Sequence, residues 1–222
     1  MIPPQMDAEF VCAMEQVLDV YEKPLDVDHP VVCVDEASRQ LIEEIALPIP
    51  MEPGQPERFD YEYQRNGTVD PFVAFQPLLG FREVVVTDRR TAMDFAAVLK
   101  YLVDVIYFSA TRLTIVLDDL NTHKLSVLYE AYSPEEAHRI VSKLEFVHTP
   151  KHGSRLNMAE LEFAAIQGQC LDRRIATKEE LTREVDAWRD KRNDREVRAN
   201  WQFTTEDARI KLRKLYPDNQ PI

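Results

Sequence analysis

Val31-Val32-Cys33-Val34-Asp35-Glu36 runs from four apolar residues straight into two acids, and Leu113-Thr114-Ile115-Val116-Leu117-Asp118-Asp119 repeats the pattern. Each run is short, rich in β-branched side chains and without polar alternation. Such runs read as strands buried on both faces, as in the parallel sheets of α/β proteins. In open α/β sheets, ligands sit beyond the carboxyl ends of the strands, and Asp35 and Asp118 fall at such ends. An aspartate there also serves as a turn former or a helix cap, so the pattern alone leaves both readings open.

Around these two strands the chain reads as alternating β and α. A helix is expected over 6–21, apolar at Phe10, Met14, Val17 and Leu18, followed by an extended linker with Pro24 and Pro30. Five prolines and glycines make 48–58 a loop. From 59 to 87 the pattern is β: a strand at 60–64, a hairpin turn at Asn66-Gly67, and strands at 72–75 and 83–87 separated by a turn at Gly80. Thr91-x-x-Asp94 opens a helix with a variant capping box, and Phe95, Val98, Leu99, Leu102 and Ile106 line one face of it. Two helices follow the second acidic strand. Ser133-Pro134-Glu135-Glu136 starts the second of them with a cap and a proline at the first helical position. A strand is expected at 144–147, a polar loop at 149–155, helices from near Asn157 and from Thr177-x-x-Glu180, and a short basic helix over 204–215. The order predicts an α/β fold, a central mixed sheet flanked by helices.

Composition narrows the function classes. No apolar run approaches the ~18 residues that span a membrane, and the N-terminus lacks the basic-then-apolar pattern of a secretory signal. Cys12, Cys33 and Cys170 show no paired spacing, which argues against zinc and fits a reducing cytosol. The net charge is −12. Residues 150–222 hold 15 Lys and Arg against 13 Asp and Glu, whereas the rest holds 12 against 26. Affinity for nucleic acid comes mostly from cations on phosphates, so a chain this acidic would need divalent metal, or another segment, to hold DNA.

Two carboxylates at neighbouring strand ends repel unless a cation lies between them, and hard oxygen ligands select Mg²⁺ or Mn²⁺. A pair of such ions can hold a phosphodiester for in-line attack. A third acid, Glu160, lies in Gly153-Ser154-Arg155-Leu156-Asn157-Met158-Ala159-Glu160. From local pattern alone Asn157-x-x-Glu160 is a capping box.

Three segments in order, Val31 to Glu36, Val116-Leu117-Asp118-Asp119-Leu120-Asn121-Thr122-His123, and Thr149-Pro150-Lys151-His152 through Glu160-Leu161-Glu162-Phe163, resemble the bacterial insertion-sequence 630 family of transposases within the mariner superfamily. The resemblance extends from about residue 5 to Pro217. It implies a ribonuclease H-like fold and a D-D-E metal site in which Asp35, Asp118 and Glu160 are the catalytic metal ligands for Mg²⁺ or Mn²⁺, two ions in all. Glu162 is the alternative third ligand. Asp119, His123, Lys151, His152 and Asn157 stand as supporting residues, with His123 either bracing the site or touching DNA. The implied partner is double-stranded DNA, as transposon ends and as TA target, engaged by a homodimer in the bacterial cytoplasm at the nucleoid.

On this reading 1–28 is an N-terminal helix and linker, 29–200 the catalytic domain, and 201–222 a C-terminal helix and tail. Two positions depart from the family pattern: Asp119 stands where Asn is usual, and Arg155 where Trp is usual. Only about 30 residues precede Asp35, too few for the helix-turn-helix modules that read transposon ends. An alternative function is therefore a folded interaction module that has lost the chemistry, and a third is a ribonuclease H-like nuclease acting on RNA or junctions. The basic stretches 189–198 and 209–214 could lie along DNA, but interleaved acids favour a solvated helix face.

Overall fold

A computed structural model describes residues 7–45, 51–55, 62–118 and 123–217. Six strands form one sheet: β1 (Val31–Glu36), β2 (Arg39–Glu44), β3 (Tyr63–Gln76), β4 (Phe81–Thr87), β5 (Leu113–Leu117) and β6 (Leu144–His148). Across its body the order is β4-β3-β1-β5-β6. β1, β5 and β6 are parallel, and β3 is antiparallel to β1 and to β4. β2 continues the line of β1 along the same long partner: Glu36 pairs with Phe72 and Arg39 with Val69, in one register across the break at Ala37-Ser38.

The helices are α1 (Ala8–Tyr21), α2 (Ala92–Tyr101), α3 (Val127–Ala131), α4 (Pro134–Lys143), α5 (Ala159–Gln169), α6 (Lys178–Asp194) and α7 (Thr205–Lys211). Side chains alternate across the sheet as strand geometry demands. Cys33, Val73, Phe75 and Val116 face α1, α5 and α6, packing on Val17, Met158, Ile166, Leu181 and Trp188. Val32, Val34, Phe72, Ile115 and Leu117 face α2, α3 and α4, packing on Phe95, Leu99, Leu128 and Ile140. The caps read from sequence are present: Thr91 and Asp94 form a capping box, Ser133 accepts from Glu136 N–H with Pro134 at the helix start, and Thr177 accepts from Glu180 N–H.

Three expectations change. Asn66-Gly67 does not turn a hairpin. It lies inside β3, where Gln40 pairs with Thr68 and Ile42 with Arg65, so Leu41 alone opposes both residues. Gly67 has φ +97°, and its freedom at positive φ serves a bulge rather than a turn. β2 was not foreseen, because Arg39-Gln40-Leu41-Ile42-Glu43-Glu44 lacks clean alternation; it forms because β3 runs on past β1 and needs a partner. The apolar helix from Thr91 ends in a π-helical turn, Leu102–Ile106. The turn at Gly80 is as expected, with φ +72°, and a Cβ there would fall 2.6 Å from the Glu196 carbonyl carbon. The strand expected at 60–64 and the loop at 48–58 lie partly outside the described residues.

Several cations of the basic segments are paired within the protein. Arg189 meets Glu83 and Asp186, Arg192 meets Glu162, Arg209 meets Glu15 and Lys211 meets Asp207. Ala208 of α7 and Leu215 beyond it pack on Phe10, Val11, Met14 and Leu18 of α1, so the two ends of the chain share one small core.

Candidate active site

Register decides where the two aspartates lie. β1 and β5 pair Val31 with Thr114, Val32 with Ile115 and Cys33 with Val116. The same offset carries Asp35 to Asp118, on neighbouring strands whose spacing is about 4.8 Å. Parity decides where they point. Asp35 and Asp118 follow Cys33 and Val116 by two residues, so both face the α5 side of the sheet. Glu36 shares the parity of Val34 and faces the opposite side.

Glu160 lies in the first turn of α5, near enough to Asp35 and Asp118 for its charge to raise both of their carboxyl pKa values. Asn157 holds it there. The Asn157 side chain is buried, Nδ2 donating to the Val34 carbonyl at 2.9 Å and Oδ1 accepting from Ala159 N–H at 3.1 Å. Asn157 thus ties the start of α5 to β1 from within the core, the N-cap position itself being Met158, and the reciprocal bond from Glu160 that would complete a capping box is not among its contacts; Glu160 is exposed in the first turn. Tyr21 adds a second tether, its hydroxyl donating to the Leu156 carbonyl at 2.6 Å. Replacing Asn157 with Leu, of similar volume, is expected to lower unfolding stability by about 2–3 kcal/mol through two lost buried hydrogen bonds. Urea unfolding checks this, a wild-type midpoint being the contrary result.

Behind the acids sits a support layer. Thr149 Oγ1 donates to Asp118 Oδ1 at 2.9 Å, and Thr149 N–H donates to the Leu117 carbonyl. His123 is 1% exposed and joins the two strand ends, with Nδ1 3.0 Å from the Asp118 carbonyl and Nε2 3.0 Å from Glu36 Oε2. Its ring lies 4.6 Å from that of Phe95. His123 is buried and links the two strand ends from the far face of the sheet. Lys151 and His152 are exposed in the loop before α5, His152 with φ 65°. Asp119 lies outside the described residues.

Glu162 does not join the acids. Its buried carboxylate lies 2.9 Å from Arg82 Nε and 3.0 Å from Arg192 Nη2, and two residues along a helix place it on another face from Glu160. Thr149 and Tyr21 were missed, and Glu36, a sequence neighbour of Asp35 and not a ligand, joins the site through His123. Thr149 opens the third sequence block and could have been marked from that; the other two depend on tertiary packing.

Burial and mutual repulsion act on the acids together. Burial, then the Asp118 carboxylate, raises the Asp35 pKa from 3.8 to about 7, with Glu160 adding to the repulsion. Burial raises Asp118 as well; the Thr149 hydroxyl opposes this and Glu160 reinforces it. Burial alone would lower His123, but the Glu36 carboxylate more than offsets it, and the net shift is upward. Among the described residues no three His, Cys, Asp or Glu side chains close to metal-ligand spacing: the carboxylates repel one another, Asp35 Oδ1 turns to accept Glu36 N–H, and Asp118 Oδ1 turns to Thr149. The donor set nevertheless fits a hard divalent cation, being all oxygen, anionic and mutually repulsive.

A mixed sheet with one antiparallel strand, acids at the ends of its first and next parallel strands, and helices on both faces is a ribonuclease H-like fold. The chain belongs to the DDE superfamily endonuclease family, whose model matches residues 30–182 and so takes in Asp35, Asp118 and Glu160. Solved structures to which it is similar include three complexes of one transposase. With the Mos1 transposase paired-end complex with left transposon end it shares 14% identity over 89% of this chain and 60% of that one, TM-score 0.56. With the Mos1 mariner paired end complex with Mn the values are 14%, 89%, 61% and 0.55, and with the Mos1 paired end complex with Mg 12%, 98%, 66% and 0.56. At such identities the likeness shows the fold. The chain spans about 60% of the length of the first of these neighbours. Comparison with curated proteins gives no match. No described helix is long and apolar enough to cross a membrane.

Proposed function

We propose that this chain is the catalytic domain of a mariner-superfamily transposase of the insertion-sequence 630 type, cleaving DNA at transposon ends and joining the freed 3′ ends to target. The observation that supports the reading is the β1–β5 register, whose offset extended by two residues pairs Asp35 with Asp118, with Glu160 in the first turn of α5. The family and the Mn and Mg complexes among its structural neighbours support metal use. Asp35, Asp118 and Glu160 would hold Mg²⁺ or Mn²⁺, two ions in all. Bound there, such ions supply Lewis acidity to the phosphate and the attacking oxygen.

The rest is positioning. Asn157 and Tyr21 seat α5 so that Glu160 meets the aspartates. Thr149 orients Asp118, and the His123–Glu36 pair ties the two strand ends together. Lys151, His152 and Arg155 lie exposed in the segment leading to Glu160, where a phosphate backbone would pass. The DNA partner is inferred from neighbours described with transposon ends; the homodimer and the bacterial nucleoid are part of the same reading. So is the division into 29–200 as catalytic unit, flanked by 1–28 and 201–222. Surface charge agrees: a chain of net charge −12 needs a grip on DNA supplied elsewhere. The decayed-module reading is not favoured, since the DDE superfamily endonuclease model matches the stretch that holds all three acids.

The test is a substrate panel at low salt with Mn²⁺: duplex DNA, an RNA–DNA hybrid, and a four-way junction. Metal-dependent nicking of duplex DNA is expected. Cleavage confined to the hybrid or the junction would move the chain to another ribonuclease H-like activity.

A further inference from the structure

Glu162 stands two residues beyond Glu160, about 200° further around α5. Its carboxylate is held from two elements. Oε2 lies 2.9 Å from Arg82 Nε on β4 and accepts from Arg192 Nε on α6 at 3.2 Å, and Oε1 accepts from Arg192 Nη2 at 3.0 Å. Arg82 is fully buried. Its Nη1 donates to Asn193 Oδ1 at 3.1 Å and its Nη2 to the Val197 carbonyl at 2.5 Å, while Asn193 Nδ2 donates back to the Arg82 carbonyl at 2.8 Å. Each guanidinium also lies over an aromatic ring, Arg82 over Phe75 and Arg192 over Trp188, both at 5.1 Å.

A buried ion cluster of this kind is a weak source of stability, because apolar residues of like volume would hold the elements together as well. Direction is what it adds. A guanidinium fork fixes the angle of the carboxylate it binds, whereas apolar contact does not. α5 needs such a constraint. In Ala-Glu-Leu-Glu-Phe-Ala-Ala-Ile-Gln-Gly-Gln apolar residues lie on more than one side: Ala159, Phe163 and Ile166 turn to the core, yet the helix exposes Leu161 and buries Glu162. Hydrophobic patterning therefore leaves the roll of this helix about its axis poorly specified.

We infer that the Arg82–Glu162–Arg192 clamp sets the roll of α5 and so aims Glu160 at the Asp35–Asp118 pair, an inference that rests on the three-acid site proposed above. Glu162 is then a positioning residue, and β4 and α6 serve the site from its far side.

The test compares wild type, Glu162→Gln, Arg192→Lys and Asp118→Asn at a temperature where circular dichroism finds each folded. Glu162→Gln removes the charge at constant shape. Arg192→Lys keeps the charge and loses the fork, and it decides the matter if Glu162→Gln does not fold. Two quantities are read: Mn²⁺ affinity by calorimetry, and amide exchange of α5 against α2 in metal-free protein. The clamp variants are expected to bind Mn²⁺ about tenfold more weakly and to exchange faster in α5 alone. A lowered Tm with wild-type Mn²⁺ affinity and α5 exchange would overturn the inference, leaving the clamp a merely structural one. If wild type and Asp118→Asn bind Mn²⁺ alike, the metal site itself has failed. The clamp is then judged by exchange: faster exchange confined to α5 supports it, and a uniform change overturns it.

Discussion

Asp118→Asn is expected to abolish metal-dependent DNA cleavage and to leave the fold standing. Asp118 sits beside Asp35 in the sheet register, receives Thr149 on one oxygen, and lies within repulsive range of Glu160. An amide keeps the shape and the Thr149 contact but removes one of three anionic ligands. Loss of a group that stabilises transition-state charge costs about 10³-fold or more, about 4 kcal/mol at tenfold per 1.4 kcal/mol. Stability should move the other way. Burial and repulsion already disfavour the Asp118 carboxylate, so neutralising it relieves strain in the metal-free protein, and Tm should stay level or rise. Cleavage assays with a thermal melt of the same preparation check both; a variant that still cuts DNA sinks the assigned role.

The second large effect is a pH dependence that metal reverses. The folded-state pKa of Asp35 is raised to about 7 from 3.8. A carboxyl raised in this way favours the folded state while it holds its proton, so its contribution is fully present below pH 3.8 and is lost as pH rises through about 7. Asp118 shifts in the same direction. His123 does too: its raised pKa means that its ion pair with Glu36 is present below pH 6.5 and lost as pH climbs past the raised value. Asp35 therefore lowers stability between about pH 4 and 7, Asp118 acts in the same direction, and His123 adds to the loss above pH 6.5. One pKa unit is worth about 1.4 kcal/mol, and after a discount for solvent screening the Asp35 shift alone should cost about 2 kcal/mol, a fall in Tm of about 4–8 °C. Saturating Mn²⁺ at the upper pH should restore it, since a ligand at 100 times its Kd stabilises by about 2.7 kcal/mol. Melts across this range with and without Mn²⁺ decide it. A flat profile that Mn²⁺ does not move would contradict the convergence of the three acids.

The parts of the fold legible in the sequence are those decided locally. Val31 to Val34 and Leu113 to Leu117 announce buried strands because both faces are apolar, and Thr91, Ser133 and Thr177 announce helix starts because capping is a contact within one turn. Asn66-Gly67 misled because the same positive-φ freedom serves a turn or a bulge, and only the pairing partner decides which. β2 was invisible for the same reason: its residues form a strand only against the overrun of β3. In the site, Asp35 and Asp118 could be placed at strand ends, but their adjacency is a matter of strand order. Asn157 reads locally as an exposed cap, and only the fold turns its side chain inward to Val34. Glu162 lies near enough to Glu160 in sequence to compete for the same role, and helix geometry together with two distant arginines removes it.

The most direct measurement is the anomalous difference map of a crystal soaked in millimolar Mn²⁺. The account predicts one or two peaks bounded by the carboxylates of Asp35, Asp118 and Glu160. Carboxylates without a peak between them, or a peak elsewhere with Glu160 turned away from the aspartates, would contradict it.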